Sequence, residues 1–253
     1  MEISPAPSVG APAARSINLP REGSAVLSLQ SGGYVSLSTH YPRQPSQDIC
    51  VAPGGALLLA GGNTAVDIAV DGAHEDLAIE PVQAWVPRML AFHDHANGRQ
   101  RALLESPALP VCLPLPGPLD DAPHSRAWLI AQLAGVTPAF DRVAGLWARG
   151  EVYQLVRFVL SNTDMNVKEL AARYGLSTAQ FRRVSHKAFG RPLKEQLRLL
   201  RARRALQLHA DTGASFTQLA GELGFSSPSH FCNEIKSLLG KSPRSIFQST
   251  RLP

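Results

Sequence analysis

Between Asn166 and Pro243 the apolar and polar positions follow one short pattern, written twice. The first copy is Leu170-Ala171-Ala172-Arg173-Tyr174-Gly175-Leu176-Ser177, and the second is Leu219-Ala220-Gly221-Glu222-Leu223-Gly224-Phe225-Ser226. Each continues as an amphipathic run that ends at a glycine, Gly190 or Gly240, with Pro192 or Pro243 soon after. The spacing predicts helix, tight turn, helix in both copies. Asn166 with Glu169, and Ser215 with Gln218, have capping-box spacing at the first helices. Gly175 and Gly224 stand where those helices need a left-handed residue to stop. Ser177 with Gln180 caps the next helix in one copy; Ser227, followed by Pro228, caps it in the other. Phe181, Val184 and Ala188 are predicted to face inwards in the first copy, and Phe231, Ile235 and Leu238 in the second.

Upstream the period changes to that of strands. Short apolar or alternating runs appear at Val26–Leu29, Tyr34–Thr39, Ile49–Val51, Ala56–Ala60 and Ala65–Val70, with Gly, Asn and Asp between them. Many short strands with turn signals predict a small barrel or sandwich. Glu80 to about His95 reads as a helix, and residues 105–123, which hold six prolines, as a loop. Helices resume at His124–Leu133 and Ala139–Arg149. From Glu151, the residues Val152, Leu155, Val156, Val159 and Leu160 form one apolar helical stripe. The expected organisation is α+β. Residues 1–20 form a disordered tail, 21–149 a β-barrel or sandwich domain with helices, and 150–253 an all-α domain with two helix-turn-helix units.

Charge sharpens this division. Residues 1–150 carry nine Lys and Arg against thirteen Asp and Glu, a net of −4; residues 151–253 carry sixteen against seven, a net of +9. A basic half that coincides with the repeat points to double-stranded DNA. Cys50, Cys112 and Cys232 are too few and too scattered for a disulfide framework or a zinc site. No signal-peptide core or run of membrane-spanning length is present, so a cytoplasmic protein with no membrane partner is expected.

The residues of the second copy, Leu223-Gly224-Phe225-Ser226-Ser227-Pro228-Ser229-His230-Phe231 with Ile235, Gly240 and Pro243, resemble the DNA-binding region of the AraC/XylS family of transcriptional regulators. Arg201, Ala205 and Leu206 between the copies match as well. Within the family, Phe225 to Pro243 looks most like activators of type III secretion genes. The strands and helix ahead of this region resemble the family's reduced cupin-like domain, which implies effector binding, dimerisation or capture of a partner protein.

In each copy the second helix is the one that enters the major groove. The outward residues Thr178, Arg182 and Arg183, and Ser229, His230 and Asn233, are the candidate base contacts. Arg reaches guanine O6 and N7, and Asn reaches adenine N6 and N7. Arg182 and Arg183 match the family's base-contacting pair. Asn233 stands where the family often has Arg. Lys187, Arg191, Lys194, Arg198, Arg203, Arg204 and Lys236 are the candidate phosphate contacts. Ser185 stands where the family usually has an aromatic; Phe189, one turn on, is the residue placed to fill that space.

His93-Asp94-His95 is the one constellation with metal-site chemistry. It follows a helical pattern and lacks the Gly and Glu that surround a cupin His-x-His, so polar residues at a helix end are the favoured reading. No catalytic residue, metal or cofactor is expected. The resemblance implies an activator that meets promoter DNA and RNA polymerase, with a tetratricopeptide-type secretion chaperone as co-activator and a homodimer as a further partner. The competing readings are a small-molecule-responsive regulator of a metabolic operon and a cupin metalloenzyme with an appended DNA-binding domain.

Overall fold

The computed structural model describes residues 14–18, 24–29, 33–39, 47–51, 53–60, 65–70, 77–101, 111–115, 117–135, 137–222, 225 and 227–250. The chain divides into two compact units, Met1–Gln154 and Leu155–Pro253.

The first unit holds two separate antiparallel sheets. One contains β1 (Ala14–Asn18), β3 (Gly33–Thr39), β4 (Gln47–Val51) and β6 (Ala65–Val70), in the order β1-β6-β3-β4. The other contains β2 (Ser24–Leu29), β5 (Ala56–Ala60), β7 (Leu77–Pro81) and β8 (Val111–Leu115), in the order β7-β2-β5-β8. Alternation along the strands sends one set of side chains inward. Leu27, Leu29, Leu57 and Leu59 from one sheet share a core with Val35, Val51 and Ile68 from the other. The two sheets are hydrogen-bonded separately among the described residues, so a closed barrel is not seen.

Three sequence expectations change here. Ala14–Asn18, expected in the disordered tail, is a strand paired with β6. Leu77–Pro81 is a strand, so the helix begins only at Trp85: it is α1 (Trp85–Ala96). Val111–Leu115 lies inside the expected proline loop yet pairs with β5. It sits at the sheet edge, where Pro114, which has no N–H to donate, is tolerated because an edge strand is paired on one side only.

Helices α2 (Pro123–Gly135) and α3 (Pro138–Arg149) follow. Thr137 caps α3 by accepting from the Phe140 N–H at 3.2 Å, with Pro138 at its first position. Phe140, Val143 and Trp147 are buried, and the Trp147 indole donates to the Ser24 hydroxyl, which ties α3 to the β2 sheet. The helix α4 (Glu151–Leu160) carries the chain from the first unit into the second.

His93-Asp94-His95 lies on the last turn of α1, but Asp94 is not a surface residue. Its side chain is 0% exposed and that of Arg101 is 5% exposed. Arg101 Nε donates to Asp94 at 2.6 Å, Arg101 Nη2 at 3.0 Å, and the Tyr153 hydroxyl at 2.9 Å. Arg101 Nη1 and Arg99 Nη2 both donate to Asp141, at 2.7 and 2.8 Å. Asp94 thus joins α1, the segment after it, and the start of α4. Among the described residues no group of three or more His, Cys, Asp or Glu is placed to hold a metal ion. None of the three cysteines is in a disulfide, and burial pushes the Cys112 thiol up to about 11.

Candidate nucleic-acid interface

The second unit continues from α4 with α5 (Val167–Tyr174), α6 (Thr178–Phe189), α7 (Leu193–Thr212), α8 (Phe216–Glu222), α9 (Pro228–Leu239) and α10 (Pro243–Thr250). The first copy is α5-turn-α6, and the second contributes α8 and α9. Long α7 packs against α6, α8 and α9.

The predicted caps are formed as hydrogen bonds. Asn166 Oδ1 accepts from the Glu169 N–H at 3.1 Å, and the Glu169 carboxylate accepts from the Asn166 N–H at 2.9 Å. Ser177 with Gln180 and Ser215 with Gln218 repeat this reciprocal arrangement. Ser227 Oγ accepts from the His230 N–H at 3.1 Å and starts α9. Gly175 ends α5 with φ +79°, a left-handed conformation that a side chain disfavours. Gly224, expected to play this part in the second copy, lies outside the described residues.

Each copy has an aromatic centre. Phe158 of α4, Tyr174 and Phe181 meet with ring centroids 4.9–6.3 Å apart. In the second copy Phe231 meets Phe216 at 5.8 Å and Phe225 at 5.0 Å. Arg201 on α7 donates to the carbonyls of Thr163, Asp164 and Met165, at 2.7, 3.1 and 3.0 Å. It thereby holds the connection between α4 and α5, where helix-end carbonyls lack partners.

One inward position differs from the sequence reading. Val184 is only half-buried, while Ser185 is 0% exposed and Phe189 is buried beside it. Among the described residues the Ser185 hydroxyl has no hydrogen-bond partner. Leaving a buried hydroxyl unpaired costs ~1–3 kcal/mol. Ser185→Ala is therefore expected to stabilise the second unit by ~1 kcal/mol, read as a rise in the urea midpoint by circular dichroism. A fall in the midpoint would show that the hydroxyl has a partner in solution.

The candidate base contacts lie on α6 and α9. Arg182, Arg183, Ser229, His230 and Asn233 are exposed, and Thr178, the first residue of α6, is half-buried. Thr178 and Arg182, and likewise Ser229 and Asn233, are four apart and share a helix face. Of the candidate phosphate contacts, Lys187, Lys194, Arg203, Arg204 and Lys236 are exposed. Arg191 is exposed too, with a loose pair to Glu195 at 3.8 Å. Arg198 is half-buried and has a partner inside the protein. Its guanidinium donates to Glu234 on α9. Glu234 also lies 4.0 Å from His230. Arg198, with smaller help from His230 and Lys194, holds the Glu234 carboxyl below its usual range. That pairing is present above the ordinary carboxyl range and is lost as pH falls through the lowered value. Sequence reasoning passed over Glu234; its only local signal was the four-residue spacing from His230.

Residues 154–249 match a family model described as a helix-turn-helix domain. The invasion protein InvF of Salmonella typhimurium is 34% identical over 201 residues, which span 78% of this chain and 91% of InvF. The chain belongs to the AraC-type family of transcriptional regulators. The transcriptional regulator MxiE of Shigella flexneri is 38% identical over 104 residues, or 40% of this AraC-type chain and 48% of MxiE. A crystal structure of an AraC-type regulator from Chromobacterium violaceum aligns at 24% identity and a TM-score of 0.38, over 42% of this chain and 96% of that one. Like InvF and MxiE, to which it is homologous, this AraC-type protein is a DNA-binding transcriptional activator. No helix among the described residues is long and apolar enough to cross a membrane.

Proposed function

We propose that the chain activates genes of type III secretion or virulence, reading promoter DNA with α6 and α9. The observation that carries this reading is the pair of capped reading helices. Each offers exposed side chains suited to base edges: Arg182 and Arg183 on one, Ser229, His230 and Asn233 on the other. Exposed Lys187, Arg191, Lys194, Arg203, Arg204 and Lys236 supply phosphate contacts that position the helices without specifying sequence. The 34% identity with an invasion protein supports the choice of target genes. On this reading the chain has no catalytic residue, metal or cofactor, and acts in the cytoplasm on RNA polymerase at the promoter.

The first unit, with its cupin-like layout, serves as the regulatory domain. It receives a tetratricopeptide-type chaperone or a second copy of the chain. A co-activator need only favour the active arrangement; a differential of ~3 kcal/mol shifts an equilibrium by about a hundredfold.

Footprinting the full chain on fragments upstream of secretion genes tests this. Protection is expected in two segments whose centres lie about one helical turn, ~34 Å, apart. Protection of a single groove, with α9 dispensable, would remove the two-reader model. A reporter strain lacking secretion genes tests the co-activator: activation is expected only when the chaperone is supplied. Full activation by the chain alone excludes it, and activation by a metabolite favours a metabolic regulator.

A further inference from the structure

Recognition helix α9 carries one acidic residue, Glu234, among side chains expected to meet DNA. A free carboxylate there would face phosphates of like charge. Glu234 is instead turned inward: its side chain is 10% exposed, while Arg198, its partner on α7, is 41% exposed. The contact joins the helix that packs across the unit to the helix that reads the second half of the site.

On α9, Phe231 and Ile235 are fully buried and four residues apart. They form one ridge, which sets how closely the helix lies on the unit. Cys232 and Leu238 pack against the same core but are only partly buried, so apolar packing alone fixes the rotation of α9 loosely. Glu234 precedes Ile235 and projects about 100° around the helix from it. A fixed contact at that flank opposes rotation. With side chains, a helix has a radius of ~5–6 Å, so a turn of ~10° moves a side-chain tip by about 1 Å. Hydrogen bonds to base edges tolerate only ~0.5 Å of spread.

We infer that Arg198 and Glu234 form a clamp that sets the rotation of α9, making both positioning residues for the second reading unit. This rests on the proposal that α9 reads bases. Neither residue touches DNA on this account. The same clamp removes the negative charge of Glu234 from the reading face. The same carboxylate lies 4.0 Å from His230.

The test uses the full chain and duplexes that it selects from a random pool. Affinities are measured for the selected duplex and for single-base changes in each half-site, at several salt concentrations. Arg198→Ala and Glu234→Ala should each reduce discrimination in the second half-site by about 3–10-fold, the scale of coupling between contacting residues. Discrimination in the first half-site should be unchanged, which also shows that each variant is folded. The salt slope should be unchanged. The exchange of both residues, Arg198→Glu with Glu234→Arg, should recover most of the lost discrimination.

If Arg198→Ala weakens every duplex alike and makes the salt slope shallower by about one unit, Arg198 is a phosphate contact and the clamp is overturned. Equal loss at both half-sites overturns it too, since that is the mark of a general folding defect. So does unchanged discrimination in both single variants. A pool that converges on a single half-site removes the two-reader proposal and the clamp with it. Two half-sites with no selective effect of the variants remove the clamp alone.

Discussion

Asp94→Ala should destabilise the first unit by ~3–5 kcal/mol, the cost of breaking a buried ion pair by removing one partner. Asp94 is fully buried and accepts from Arg101 twice and from Tyr153 once. Its removal leaves the Arg101 guanidinium buried with, among the described residues, only Asp141 to meet it, and takes this acceptor from the Tyr153 hydroxyl. For a unit of this size the midpoint temperature should fall by on the order of 10 °C. The readout is clean: Trp85, Trp128 and Trp147 are the three tryptophans of the chain, and all lie in the first unit. Their fluorescence follows that unit alone. Asp121→Ala is the control. Asp121 and its partner Arg126 are about half exposed, so that loss should stay within ~0.5 kcal/mol. Equal, small effects from both variants would mean that the buried network contributes nothing beyond a surface pair.

Arg183→Ala should cost ~1–3 kcal/mol of binding free energy at one base position and relax the preference there. Arg183 is exposed on α6, with no ion-pair partner among the described residues, so its guanidinium is available to a guanine edge. Arg204→Ala provides the contrast. Arg204 is exposed on α7, outside the two reading helices, and should weaken all sequences alike while making the salt slope shallower by about one unit. Competition binding against single-base variants at several salt concentrations separates the two patterns. If both variants behave the same way, the division of this surface into base and phosphate contacts is wrong.

The helical half was legible because its information is local. Asn166, Ser177, Ser215 and Ser227 signal helix starts through bonds spanning two or three residues, and those bonds are present in the structure. Gly175, Gly190 and Gly240 end helices in left-handed conformations for equally local reasons. The exposed faces of α6 and α9 follow from periodicity around Phe181, Phe231 and Ile235, which are all fully buried. The five expected strands were legible from alternation bounded by turn residues.

The remainder depends on pairings between residues far apart in the chain. Val111–Leu115 reads as a proline loop and becomes a strand because β5 offers it an edge. Ala14–Asn18 is short and polar, and only pairing with β6 makes it a strand. Asp94 looks like a polar residue at a helix end, yet Arg101 and Tyr153 draw it inside. Arg198 looks like a free cation, and the fold pairs it with Glu234, thirty-six residues later. Sequence alone determined where helices begin and end, which of their faces are outward, and the family to which the DNA-binding half is similar, because each follows from neighbours within a turn or from a contiguous motif. Tertiary structure decided which charges remain free and which edge strands form, because a charge or an edge is satisfied by whatever the fold brings beside it.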